Sequence, residues 1–187
     1  MNSFYSREEL RELGLKEYGK NVLISKKASI YNANKVVIGN NVRIDDFCIL
    51  SGKVIIGNNV HISAYVALYG GDVGIYFNDY SGASTRTTIF ALSDDFSGEY
   101  MTNSMIEEEY RNVITGKVEI DRYAQIGANC VILPNVKIGQ GCAVGSMSLV
   151  KNDLQEFTIY AGIPCEKIKD RSKKILDIVK ERESKYE

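Results

Sequence analysis

The feature that most constrains this chain is a period of six. Ile38, Ile44, Leu50, Ile56, Ile62 and Leu68 follow one another at six-residue intervals. After a three-residue insertion the spacing resumes at Phe77, Ala83 and Ile89, and it returns at Ile120, Ile126, Ile132, Ile138, Val144 and Val150. The fifth place of each hexad is small or β-branched: Val42, Cys48, Val54, Val60, Val66, Ser81, Thr87, Ala124, Cys130, Val136, Cys142 and Ser148. Glycine recurs at the second place (Gly39, Gly57, Gly127, Gly139, Gly145), often followed by asparagine, as in Ile38-Gly39-Asn40-Asn41. A period of six drifts around an α-helix, and glycine and asparagine interrupt too often for ordinary alternating strands. Places one and five therefore point into a narrow core, while glycine and asparagine make corners that need positive φ.

Self-similarity at a short fixed period is the signature of a stacked repeat. The pattern covers residues 22–155 and resembles the hexapeptide-repeat family, [LIV]-[GAED]-x-x-[STAV]-x. That resemblance implies an all-β fold: a left-handed parallel β-helix with three hexads per triangular coil, coils stacking at about 4.8 Å. The expected organisation is a helical segment over residues 1–20, the β-helix over 21–165 and a C-terminal helix over 166–187. Ser6-Arg7-Glu8-Glu9 reads as a capping box opening a helix to about Leu15. Ile168, Ile175, Leu176 and Val179 give the lysine- and glutamate-rich tail one apolar stripe. Residues 91–117 break the repeat, and a long excursion from a regular scaffold is where function concentrates.

Composition narrows the function. The net charge is −1 and no basic block precedes the tail, which argues against nucleic acid or anionic membrane as partners. No apolar stretch reaches membrane-spanning length and no signal-peptide pattern opens the chain, so a cytosolic location is expected. Cys48, Cys130 and Cys142 occupy the inward fifth place and read as buried small hydrophobes, Cys165 has no catalytic case, and no zinc spacing is present.

His61 is the only histidine. It stands at the sixth place of Ile56-Gly57-Asn58-Asn59-Val60-His61 and should point outward, with Arg43 one coil below and Gly82 one coil above. The glycine leaves space beside the ring. Imidazole has the basicity to deprotonate an alcohol or amine attacking a thioester near neutral pH. His61 is thus either a general base or an exposed corner side chain with no chemical role.

The finer resemblance is to sugar O-acetyltransferases of the galactoside and maltose acetyltransferase type, and to their relatives in surface-polysaccharide synthesis. It is carried by Gly57 through Tyr65, by Ser93-Asp94-Asp95-Phe96-Ser97-Gly98-Glu99-Tyr100 and by Ile126 through Pro164, which ends in Ala161-Gly162-Ile163-Pro164. The resemblance implies a homotrimer with acetyl-CoA in a groove between subunits. The matching donor positions are Ala128 and Ser146, with Lys151, Lys169 and Arg171 as phosphate contacts. Asp94 and Asp95 either hold the acceptor or orient His61 across an interface, and Tyr65 and Arg86 are weaker candidates for sugar contact. Galactoside acetyltransferases carry their base as a His-Pro pair near the place occupied here by Ser93-Asp94-Asp95, which leaves the base to His61 or a carboxylate. A zinc carbonic anhydrase on this scaffold needs three histidines per site, and one per chain cannot supply it. The expected activity is acetyl-CoA-dependent O-acetylation of a sugar or a sugar unit of a surface polysaccharide, without a metal. Its rivals are N-acetylation of a nucleotide-linked amino sugar and a non-catalytic trimeric scaffold.

Overall fold

The computed structural model describes residues 3–185; Met1, Asn2, Tyr186 and Glu187, the outer edges of the two expected terminal segments, lie outside them. The repeat folds as a parallel β-helix with three faces. Face A stacks Val22–Ile24, Val42–Ile44, His61–Ile62, Gly82–Ala83, Gln125–Ile126, Ala143–Val144 and Thr158–Gly162. Face B runs through Glu17–Tyr18, Val36–Ile38, Val118–Ile120 and Lys137–Ile138, and face C through Ser29–Tyr31, Thr88–Phe90, Val131–Ile132 and Leu149–Val150. The long strands Ile49–Ile56 and Ala67–Phe77 bend across the corner between C and B and belong to both.

First-place residues form three continuous inward columns. One is Ile44–Ile62–Ala83–Ile126–Val144, and each member is less than 5% exposed. Every fifth-place residue is buried as well. Full burial of an isoleucine contributes about 1.5–3 kcal/mol, so the columns dominate the stability of the stack. The buried hydroxyls are satisfied: Thr87 Oγ1 donates to the Gly127 carbonyl at 2.9 Å and Ser148 Oγ to the Gly145 carbonyl at 2.6 Å.

The corners depart from the sequence expectation in one respect. Positive φ falls at the fourth place of the hexad, at Asn41, Phe47, Asn59, Tyr65, Tyr80, Arg86, Tyr123, Asn129, Asn135 and Met147, and not at the second-place glycines. Those glycines answer a different constraint. A Cβ on Gly57 would lie 2.6 Å from Asp79 Oδ1, and one on Gly127 would lie 2.5 Å from the Ser146 nitrogen. Each coil approaches the next too closely for a side chain there. The reason is visible in the third-place side chains: Asn58 Oδ1 accepts from the Asn40 N–H at 2.8 Å and Asp79 Oδ1 from the Asn58 N–H at 2.7 Å. Each coil thereby caps the corner of the one below.

Both termini differ from their expected forms. Helix α1 (Arg7–Glu12) opens with the Ser6–Glu9 capping box but stops before Leu15, because Gly14 takes φ +69° immediately after the C-cap. The tail is not one helix. Cys165–Asp170 is a strand antiparallel to Thr158–Gly162, and only Ile175–Glu183 is helical (α2). Gly162, at φ +112°, turns the chain back along the last coil, so Ile168 stands on an exposed strand and Val179 alone buries the α2 face. Among the described residues no helix is long and apolar enough to cross a membrane.

Candidate active site

His61 projects from face A with Arg43 paired below it and Gly82 above it. Its side chain is 53% exposed, and Nε2 lies 2.7 Å from Asp45 Oδ2. The other carboxylate oxygen, Oδ1, accepts from Arg43 Nε at 2.6 Å. Burial raises the Asp45 pKa, but the hydrogen bonds from Arg43 and His61 outweigh it and hold the carboxyl below its ordinary value. The tautomer protonated on Nε2 donates to Asp45 and leaves Nδ1 as an acceptor facing solvent. Within one protomer, Asp45 is the carboxylate that holds the His61 ring, a partner the sequence reading did not name beside Asp94 and Asp95. It was missed because it sits diagonally, at the second place of the hexad below, and not in the His61 column.

The space above His61 is narrower than a bare glycine implies. The Gln125 amide, one coil further up, donates to the Tyr80 carbonyl at 3.0 Å, and its Oε1 would meet a Gly82 Cβ at 3.1 Å. Ser84, exposed just after buried Ala83, continues the same surface. Ala128 and Ser146 are stacked neighbours, the Ala128 N–H donating to Ser146 Oγ at 3.2 Å, and they extend a strip of small side chains toward the C-terminal end.

The excursion is an ordered hairpin, Leu92–Asp94 paired with Val113–Thr115, leaving the corner between faces C and B. It separates the two aspartates. Asp95 is structural, its oxygens accepting from the Ser97 N–H at 2.8 Å and Asn112 Nδ2 at 2.9 Å, which lowers its pKa. Asp94 accepts from the Asn103 N–H at 3.2 Å through Oδ2 and lines a cleft of about 1090 Å³ at the hairpin base. Tyr69, Phe90, Phe96 and Arg111 share this cleft. The Tyr69 and Phe90 rings stack with centroids 5.3 Å apart and planes at 11°. Their 21-residue separation is one coil plus the insertion, so the register alone would have found them; Arg111 lies in the irregular segment and carries no such signal.

The remaining expected residues scatter. Tyr65 and Arg86 lie on the corner between faces A and C, Arg86 over the Tyr65 ring at 5.6 Å and Tyr65 stacked on Phe47 at 4.9 Å. That ladder lies apart from the hairpin cleft. Lys151 and Lys169 are exposed near the last coil. Arg171 is corrected from a phosphate contact to a clamp of the stack, its Nη1 donating to the carbonyls of Tyr123, Gly141 and Cys142 at 2.9–3.3 Å. Among the described residues no group of three His, Cys, Asp or Glu side chains is placed to hold a metal.

The family model described as "Bacterial transferase hexapeptide (six repeats)" matches residues 35–70 and 113–152. The dTDP-4-amino-4,6-dideoxy-D-glucose acyltransferase of Escherichia coli is 42% identical over 173 residues, 91% of this chain and 90% of that protein. The solved structure of AntD, an N-acyltransferase from Bacillus cereus in complex with dTDP and 3-hydroxybutyryl-CoA, is 55% identical, covers 100% of this chain and 99% of its own, and superposes with a TM-score of 0.98. The galactoside O-acetyltransferase of Lactococcus lactis matches only 64 residues, 33% of this chain, at 36% identity. The likenesses that run the whole length are to an acyltransferase of a dTDP-amino sugar and to an N-acyltransferase solved with dTDP, and they overturn the expectation of O-acetylation of a polysaccharide sugar. The repeat architecture and these full-length matches together make the chain a member of the hexapeptide-repeat acyltransferases.

Proposed function

We propose that this chain transfers an acyl group from acyl-CoA to the amino group of a dTDP-linked 4-amino-4,6-dideoxy sugar. The observation that carries this reading is the 55% identity to AntD across both whole chains. AntD has been solved with dTDP and 3-hydroxybutyryl-CoA, and with dTDP-4-amino-4,6-dideoxyglucose and CoA. In the reaction the amine nitrogen forms a bond to the thioester carbon, the C–S bond breaks, and the amine proton passes to the departing thiolate. His61, held by Asp45, takes and returns that proton. Asp94 receives the sugar amine. The amino-sugar complex carries a substitution of a serine, and another AntD structure a substitution of an aspartate, whose numbers are those of Ser84 and Asp94 here.

His61 stands on face A and Asp94 on a hairpin that leaves the opposite corner and packs against Ala67–Phe77. One protomer does not bring them together, which favours a homotrimer whose sites lie between subunits. The donor then runs along Ala128 and Ser146, with Lys151 and Lys169 at its phosphates, and its acyl group is acetyl or a short hydroxyacyl chain. A CoA donor suits a cytosolic enzyme.

The test pairs dTDP-4-amino-4,6-dideoxyglucose with its 4-hydroxy counterpart, using acetyl-CoA and 3-hydroxybutyryl-CoA as donors. Acylation of the amine alone is expected. Acylation of the alcohol alone, or of neither, would refute the reading.

A further inference from the structure

The cleft at the hairpin base contains a group that nothing in the chain accounts for. Arg111 Nε is sealed from solvent and has no hydrogen-bond acceptor among the described residues. A buried unpaired N–H on a permanent cation is costly, and an acceptor supplied from outside the chain would relieve that cost. The other basic residue of the cleft wall, Lys35, is already held by Asp72 at 2.6 Å. Among the described residues, Arg111 is therefore the cation of the cleft lining without an anion. Asp94 supplies its counterpart, a carboxylate bonded only through Oδ2. The same cleft is lined by the stacked pair Tyr69–Phe90.

A cleft with an unmet cation, a carboxylate not engaged by a cation and an aromatic wall is complementary to a ligand that carries both an anion and an amine. A free amino sugar has the amine but leaves Arg111 unmet. A sugar joined to a nucleoside diphosphate has both. We infer that Arg111 anchors the diphosphate of the acceptor, and that this residue makes the enzyme select nucleotide-linked amino sugars over free ones. The inference rests on the proposed function and adds the determinant of its acceptor class. The planar guanidinium fork suits phosphate oxygens better than a point charge does, so lysine should replace it only in part.

The experiment measures dTDP and thymidine binding by calorimetry to the full chain and to its Arg111→Gln and Arg111→Lys variants, with melting temperatures alongside. Loss of one charge-assisted contact should weaken dTDP by about tenfold or more in the glutamine variant and by less in the lysine variant. Thymidine affinity should not change. The unliganded melting temperature should not fall, since Arg111 lies on the hairpin, outside the stacked core, and its unpaired N–H is removed, while the dTDP-induced rise should shrink. In kinetics KM for the dTDP-amino sugar should rise and KM for acyl-CoA should not. Wild-type binding of dTDP with unchanged affinity in Arg111→Gln would overturn the anchor and leave the proposed function standing. No dTDP binding by the wild type would defeat the proposed function and the anchor with it.

Discussion

His61 Nε2 and Asp45 Oδ2 lie 2.7 Å apart, and the same carboxylate accepts from Arg43 Nε at 2.6 Å. The ring is fixed on one side and open on the other, the arrangement a proton carrier needs. His61→Ala should lower kcat by about 10²-fold or more, the usual contribution of a positioned base. Asp45→Asn should lower kcat less, leave KM for both substrates in place, and be partly rescued by Asp45→Glu. Steady-state rates with saturating acyl-CoA check this, and a fully active His61→Ala would remove the ring from the mechanism.

Asp45 also predicts an acid-sensitivity. Its folded pKa lies below the unfolded reference of 3.8. Its contribution to stability is therefore present above that reference and is lost as pH falls through the depressed folded value. Melting temperatures taken from pH 6 down to pH 2.5 should fall less steeply below about pH 4 for Asp45→Asn than for the wild type. Parallel curves would show that the carboxylate is not held by its partners.

Burial pushes the Cys48 thiol up to about 11 and the Cys142 thiol up to about 12, and raises Cys130 as well. Thiolate is the reactive form. Alkylation of the folded protein at pH 8 should reach half-buried Cys165 slowly and spare the other three until denaturant is added. Mass spectrometry of labelled peptides decides it, and fast labelling of Cys48 in the native state would contradict the inward register.

Gly127→Ala should be destabilising although φ there is ordinary. The new Cβ would stand 2.5 Å from the Ser146 nitrogen and force the coils apart. Overpacking of this kind costs about 1–3 kcal/mol. Because the strip beside it is the proposed donor groove, KM for acyl-CoA should rise too. An unchanged denaturation midpoint would mean the coil edge yields more readily than its geometry implies.

Much of the fold was legible because the period is a packing constraint. The first and fifth places, the inward cysteines and the neighbours of His61 in the stack all followed from counting, since every coil repeats the same three corners. The position of Asp45 did not, because a diagonal contact depends on side-chain reach and not on register. The tail misled because a stripe such as Ile168, Ile175, Leu176 and Val179 fits a helix, while its first member lies on a strand that packs as an edge. The role of Arg171 was hidden for a related reason: a cation near a phosphate-binding end and a cation capping carbonyls look alike in a sequence.

The hairpin interrupts no column. Thr88–Phe90 pairs with the coil below and with Val131–Ile132 above, and Val118–Ile120 is likewise paired on both sides. Residues 92–115, none of them buried in the stack, can be exchanged without disturbing any inward side chain. If the hairpin cleft receives the acceptor and the coil edge the donor, as proposed, acceptor choice is inherited separately from donor choice. A lineage can trade one hairpin for another and acquire a new sugar while the spine and its thioester groove stay as they were.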